Sequence, residues 1–129
     1  MRFELTRRPS DSEKLTGETP DDLQWRLAQL KVKEPFQLWM FKEDGELACC
    51  LCNRTRAWLT IISKAGDDLL SLDAGFIGDE SEVEQILLEN GQLDEMPRRH
   101  CIPRGEGMKA AVYYFREGAR APFISWFPS

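Results

Sequence analysis

A chain of 129 residues, 42% apolar and 10% aromatic with four Trp, can bury a core as one domain without disulfide or metal staples, and it is too aromatic for a disordered segment. Its net charge of −5, with no basic strip interleaved with aromatics, argues against nucleic acid as a partner. No apolar run approaches the roughly 20 residues of a membrane-spanning helix, and Met1-Arg2-Phe3-Glu4-Leu5-Thr6 opens without a signal-like apolar stretch, so a single cytoplasmic domain over residues 1–129 is expected.

Phe3 and Leu5 alternate with polar neighbours and predict a short first strand, followed by a polar loop over residues 9–17. Thr19-Pro20-Asp21-Asp22 reads as a helix start: a capping hydroxyl, Pro at the first helical position, then acids at the positive end of the helix dipole. Leu23, Leu27 and Leu30 carry that helix to about residue 30, with Trp25 on its flank. Pro35 precedes the β-rich run Phe36–Phe41, the Glu43-Asp44-Gly45-Glu46 segment supplies a hairpin turn, and Leu47–Cys52 returns. Further strands are expected at 57–62 and 69–72, the latter after a Lys64-Ala65-Gly66-Asp67 turn.

An acidic loop over 73–82 leads into strands 83–88 and 93–96, joined at Asn90-Gly91. The second helix is expected to start near Pro103-Arg104. Met108, Ala111, Val112 and Phe115 form its buried stripe and Gly118 its left-handed cap, before Pro122 opens a last strand ending at Trp126. The order predicts an α+β fold: a mainly antiparallel sheet of about six strands packed with two helices. Trp25, Trp39 and Trp58 are expected where helix and sheet meet, and Trp126 in the core.

Catalytic chemistry is hard to find. His100 is the only histidine, beside Arg98 and Arg99 in what reads as a surface loop, so two-His metal sites and His-based acid–base pairs are excluded. No G-x-S-x-G, P-loop or G-x-G-x-x-G occurs, and acids this numerous carry no hydrolytic signature. Cys49 and Cys50 are adjacent on a strand and point to opposite faces, a poor geometry for a disulfide, so free and mostly buried thiols are expected. Cys50 and Cys52 share a face. Joined by Cys101 and His100 they define the main alternative, a small thiol- or metal-dependent enzyme or sensor, although the C-x-x-C spacing of zinc sites is missing. Small core residues explain the cysteines more simply. A non-enzymatic binding protein without cofactor or metal is the expectation.

The motifs Asn90-Gly91, Met96-Pro97, Ile102-Pro103, the Ala110/Ala111 to Phe115 helix face, Gly118, Pro122 and Ile124-Ser125-Trp126 resemble the type 1 immunity-protein family of bacterial polymorphic toxin systems. The Phe36–Phe41 and Leu47–Cys52 hairpin and the strand 58–62 fall where that family has its central strands, and the likeness runs over about residues 19–126. Between those strands members often carry Gly-Asp or Asn-Gly-Asp; this chain has Cys52-Asn53-Arg54-Thr55-Arg56-Ala57. The resemblance implies a cytoplasmic protein that binds and neutralises a cognate toxin domain, often a nucleic-acid deaminase or nuclease.

The charge distribution suits that role. Residues 65–96 hold ten acids and no base. An uncompensated acidic stretch can occupy the basic groove of a nucleic-acid enzyme in place of phosphate, raising the association rate while an apolar centre supplies affinity. Asp67, Asp68, Asp79, Glu80, Glu82 and Glu84 are the candidate charged contacts, and Phe76 and Ile77 the candidate apolar anchors. An ordinary solvated face remains the alternative for the acids, and core packing the alternative for Phe76 and Ile77. Self-association through an exposed sheet edge is also left open.

Overall fold

Period-two patterning builds the sheet. In β1 (Arg2–Arg7), β3 (Phe36–Phe41), β4 (Leu47–Cys52) and β5 (Arg56–Ile62), the buried residues Phe3, Leu5, Phe36, Leu38, Met40, Cys50, Cys52 and Leu59 all lie on one face. The computed structural model describes residues 1–7, 13–88 and 91–129. Of the loop expected over 9–17, the part Glu13–Gly17 is instead a strand, β2, paired antiparallel with β1; Leu15 sits opposite Leu5 and packs on the core. The rest of that loop, and Asn90 of the Asn90-Gly91 turn, lie outside the described residues.

The first helix, α1 (Pro20–Ala28), is capped as its sequence predicts: Thr19 Oγ1 accepts the Asp22 amide at 3.1 Å and Pro20 opens the first turn. After β6 (Leu69–Leu72) comes a ribbon of β7 (Val83–Leu87) and β8 (Leu93–Pro97), then a 3-10 turn Arg98–His100 and the short β9 (Cys101–Pro103). The second helix, α2 (Arg104–Glu117), ends at Gly118, whose φ of 70° and amide bond to Tyr114 O at 2.8 Å make the expected left-handed cap. Lys42 Nζ donates to Gly118 O at 2.7 Å and secures that end to the β3–β4 turn.

The final strand, β10 (Ser125–Pro128), completes an eight-stranded sheet ordered β10-β6-β5-β4-β3-β1-β2, with β9 beside β6 along the outer edge of β5. The expected α+β class is therefore the one observed, with eight strands in the main sheet rather than about six. β7 and β8 form a separate antiparallel pair.

The two faces of the sheet are covered differently. Leu23 and Leu27 of α1 and Ala110, Ala111, Tyr114 and Phe115 of α2 close the front, where Phe3 meets Phe115 edge-on at 5.4 Å between ring centroids. Each large apolar side chain buried there contributes about 1.5–3 kcal/mol. Helix α2 approaches β5 so closely that a Cβ on Gly107 would collide with Ala57. On the back, Cys49, Leu51 and Ile86 form a second cluster under the ribbon, with Trp39, Trp58, Leu88 and Met96 around it.

Three tryptophan placements differ from expectation. Alternation puts Trp39 and Trp58 on the opposite face from Leu38 and Leu59, so they pack beneath the ribbon instead of under the helices. Trp25, one residue off the buried Leu23/Leu27 stripe, is 56% exposed and carries the Arg26 guanidinium over its ring at 5.1 Å. Trp126 does pack on the main core, its Nε1 donating to Ala121 O at 3.0 Å.

Candidate interaction surface

The acidic segment folds into a closed loop on the ribbon side of the sheet. Asp73 N donates to Arg99 O at 2.8 Å and Arg98 N to Glu82 O at 2.9 Å, so both ends of residues 73–82 are pinned to one dipeptide. Loops closed at the base in this way hold their shape through internal contacts. Here Gly75 N donates to Asp73 Oδ1 at 3.1 Å and Phe76 N to Asp73 O at 3.0 Å. Asp79 N donates to Glu82 Oε1 at 3.1 Å, while Asp79 Oδ1 accepts the Ser81 amide and hydroxyl, each at 2.8 Å. Glu82 reaching back to the Asp79 amide supplies one half of the logic of a helix capping box, and the Glu82 amide closes the turn on Asp79 O at 3.0 Å. Those two bonds from Ser81 hold the Asp79 carboxyl below its ordinary value of 3.8.

The two predicted anchors separate. The half-buried Phe76 ring folds back over Gly78, where a Cβ would meet it at 2.7 Å and Glu82 Oε1 at 2.6 Å. Phe76 therefore braces the loop. Ile77 is 99% exposed and touches nothing that would account for an apolar side chain at that place. The structure adds two apolar residues that sequence reasoning overlooked. Val83 and Leu93, 44% and 57% exposed, lie on the outward side of the ribbon, whose inward side carries Ile86 and Met96. The alternation was readable in the sequence; which of the two faces would be covered was not.

The acids are not uncompensated, which corrects the charge reading. Arg98 lies 3.4 Å from Glu82 and 3.6 Å from Glu84, and Arg99 lies 3.7 Å from Glu80. The bases fall just outside the acid-only stretch in sequence but at its centre in space. Four carboxylates (Asp79, Glu80, Glu82, Glu84) against two guanidinium groups still leave the patch negative, and exposed Asp94 and Glu95 on β8 form no ion pair among the described residues. Asp67 and Asp68 do not join this group. They sit at the far end of β6, about 16 Å of strand from Asp73, where Asp68 Oδ1 accepts the Ser63 amide at 3.1 Å and Asp68 O the Ser129 amide at 2.9 Å.

The ribbon is held to the sheet by two side-chain amides that donate to carbonyls of β7. Asn53 Nδ2 donates to Gln85 O at 3.2 Å and Gln37 Nε2 to Leu87 O at 3.4 Å. Asn53 thus positions β7, and its Oδ1 also accepts the amides of Thr55 and Arg56.

The cysteines and His100 do not converge. Cys50 and Cys52 share the helix-covered face, their sulfurs 3.8 Å apart. Cys101 pairs with Trp58 and so faces the ribbon side, its thiol 3.6 Å from Pro97 O. Burial first, then neighbouring thiols or carboxylates, raises Cys49 and Cys52 well above the ordinary thiol value and Cys101 to about 12, so all three stay protonated and poorly nucleophilic at neutral pH. His100, expected in a surface loop, is buried: Nδ1 lies 2.9 Å from Ser71 O, and the ring lies 5.2 Å from that of Phe127. Ser71 Oγ donates to His100 O at 2.6 Å and accepts the Leu59 amide at 3.1 Å, so this cluster joins β5, β6 and the 3-10 turn. Among the described residues no group of three or more His, Cys, Asp or Glu is placed to hold a metal ion, and no helix is long and apolar enough to cross a membrane.

No protein-family model matches the chain, and no curated protein matches it either.

Proposed function

We propose that this protein is a cytoplasmic, non-enzymatic immunity protein that binds a basic toxin domain through the loop 73–82 and the outward face of the ribbon. One observation carries the reading: Ile77 is 99% exposed at the tip of a loop whose own hydrogen bonds hold it in place. An isoleucine fully in water gains nothing in the free protein. On a pre-ordered loop it binds at little conformational cost, as an anchor should. Asp79 and Glu80 beside it, and Glu95 on the ribbon, supply the negative potential that steers a nucleic-acid enzyme's basic groove onto the surface. The type 1 immunity family resemblance supports the same reading.

The partner of choice for a test is the protein encoded beside this gene. Co-expressed and purified through a tag on the neighbour, the two are expected to elute as a one-to-one complex whose association slows as salt rises. Absence of a complex, or one whose association rate ignores salt, contradicts the proposal.

A further inference from the structure

The face opposite the loop and ribbon carries a second unclaimed surface. Between α1 and α2 runs a groove of about 440 Å³. Its floor is apolar, formed by Leu27, Ala28, Met108 and Val112, and Phe123 walls one side, held edge-on to Tyr113 at 5.9 Å between centroids. Phe123 is 53% exposed, a poor use of a phenyl ring in the free protein. Two cations border this floor, Lys109 and Arg116, and the lining includes no carboxylate. Neither forms an ion pair among the described residues; Arg116 donates only to Gln24 Oε1, at 3.3 Å.

We propose that this groove docks an amphipathic helix of a protein partner, its apolar stripe flanked by carboxylates that meet Lys109 and Arg116. The dimensions fit: from Met108 to Arg116 the helix rises eight steps, about 12 Å, enough to receive side chains at i, i+3 or i+4, and i+7 of a facing helix. The groove is open along its length, so it cannot enclose most of a small molecule's surface as a ligand cavity does. Unpaired cations beside apolar surface select against basic or neutral helices, which would leave them desolvated without partners. The site shares no residue with the loop and ribbon, so this proposal and the immunity reading can each fail alone.

The test is a display library of single-helix peptides, randomised at surface positions and selected on the whole protein. Winners are expected to combine an i, i+3/i+4, i+7 apolar stripe with flanking Asp or Glu. They should lose at least tenfold in affinity on Lys109→Glu/Arg116→Glu, a pair of surface changes, and on Val112→Glu once urea melts show that it folds. No enrichment, winners without acids, or winners indifferent to both variants overturn the proposal. So does sedimentation showing a dimer of this chain that the same variants dissociate, since the occupant is then a second copy.

Discussion

Ile77→Ala removes three carbons from a side chain that is 99% exposed in the free protein. At about 0.8 kcal/mol per buried carbon, full burial of Ile77 by the toxin domain makes the loss about 2.4 kcal/mol, or roughly fiftyfold in Kd. Folding should be untouched, because a surface change remote from caps and packing moves stability by no more than about 0.5 kcal/mol. The loop's hydrogen bonds run through Asp73, Asp79, Ser81 and Glu82 and leave the Ile77 side chain free, so the loop keeps its shape in the variant. Titration calorimetry against the neighbouring gene's product gives Kd, and a urea melt gives stability. Phe76→Ala is the control: it should loosen the loop and lower stability, because its ring packs over Gly78. The reasoning is refuted if Ile77→Ala changes Kd less than threefold, or if its main effect is on the melt.

Glu80→Lys with Glu95→Lys should slow association about tenfold at low salt and flatten its salt dependence, as read by stopped-flow mixing, while leaving the loop bonds intact. Reversing Glu82 or Glu84 is a worse test, since their carboxylates also accept hydrogen bonds from Asp79 N and Asn53 Nδ2, whereas the Glu80 side chain is exposed and meets only Arg99 at 3.7 Å among the described residues. The lowered Asp79 value means that its support of the loop is complete above the ordinary carboxylate value of 3.8 and disappears as pH falls through the lower folded value. Amide exchange at Ser81 should therefore rise only in strong acid, and Asp79→Ala should show the fast rate at every pH. Gly107→Ala should destabilise by about 1 kcal/mol in urea melts, an overpacking cost of about 1–3 kcal/mol against Ala57 outweighing a propensity gain of about 1. Gly105→Ala, with nothing within 4 Å of its added carbon, should stabilise by up to about 1 kcal/mol. Iodoacetamide at pH 8 should label none of the four buried cysteines in the folded protein and all four in urea, counted by mass spectrometry.

Local signals in this chain translated directly into structure. Thr19-Pro20 started α1, Gly118 ended α2, and the stripe through Ala111 and Phe115 faced the sheet, because each depends on residues within a turn of one another. Gly45 adopts the positive φ that its hairpin requires. What stayed hidden depended on distant partners. Alternation in 83–88 marks two faces but not which one meets Cys49 and Leu51, and the acid-only stretch could not reveal that Arg98 and Arg99 close its loop. His100 looked like a surface residue until β6 and Phe127 covered it. For the candidate surface, Ile77 was legible as an apolar residue among acids. Val83 and Leu93 were not legible, since their exposure follows from how the ribbon docks.

The central claim is neutralisation, and growth measures it most directly. The neighbouring gene is induced in a bacterial host alone, with this protein, and with its Ile77→Ala variant. Arrested growth alone, full rescue by the native protein and weaker rescue by the variant at equal expression is the predicted result. A toxic neighbour that this protein fails to neutralise, or a neighbour without toxicity, contradicts the account.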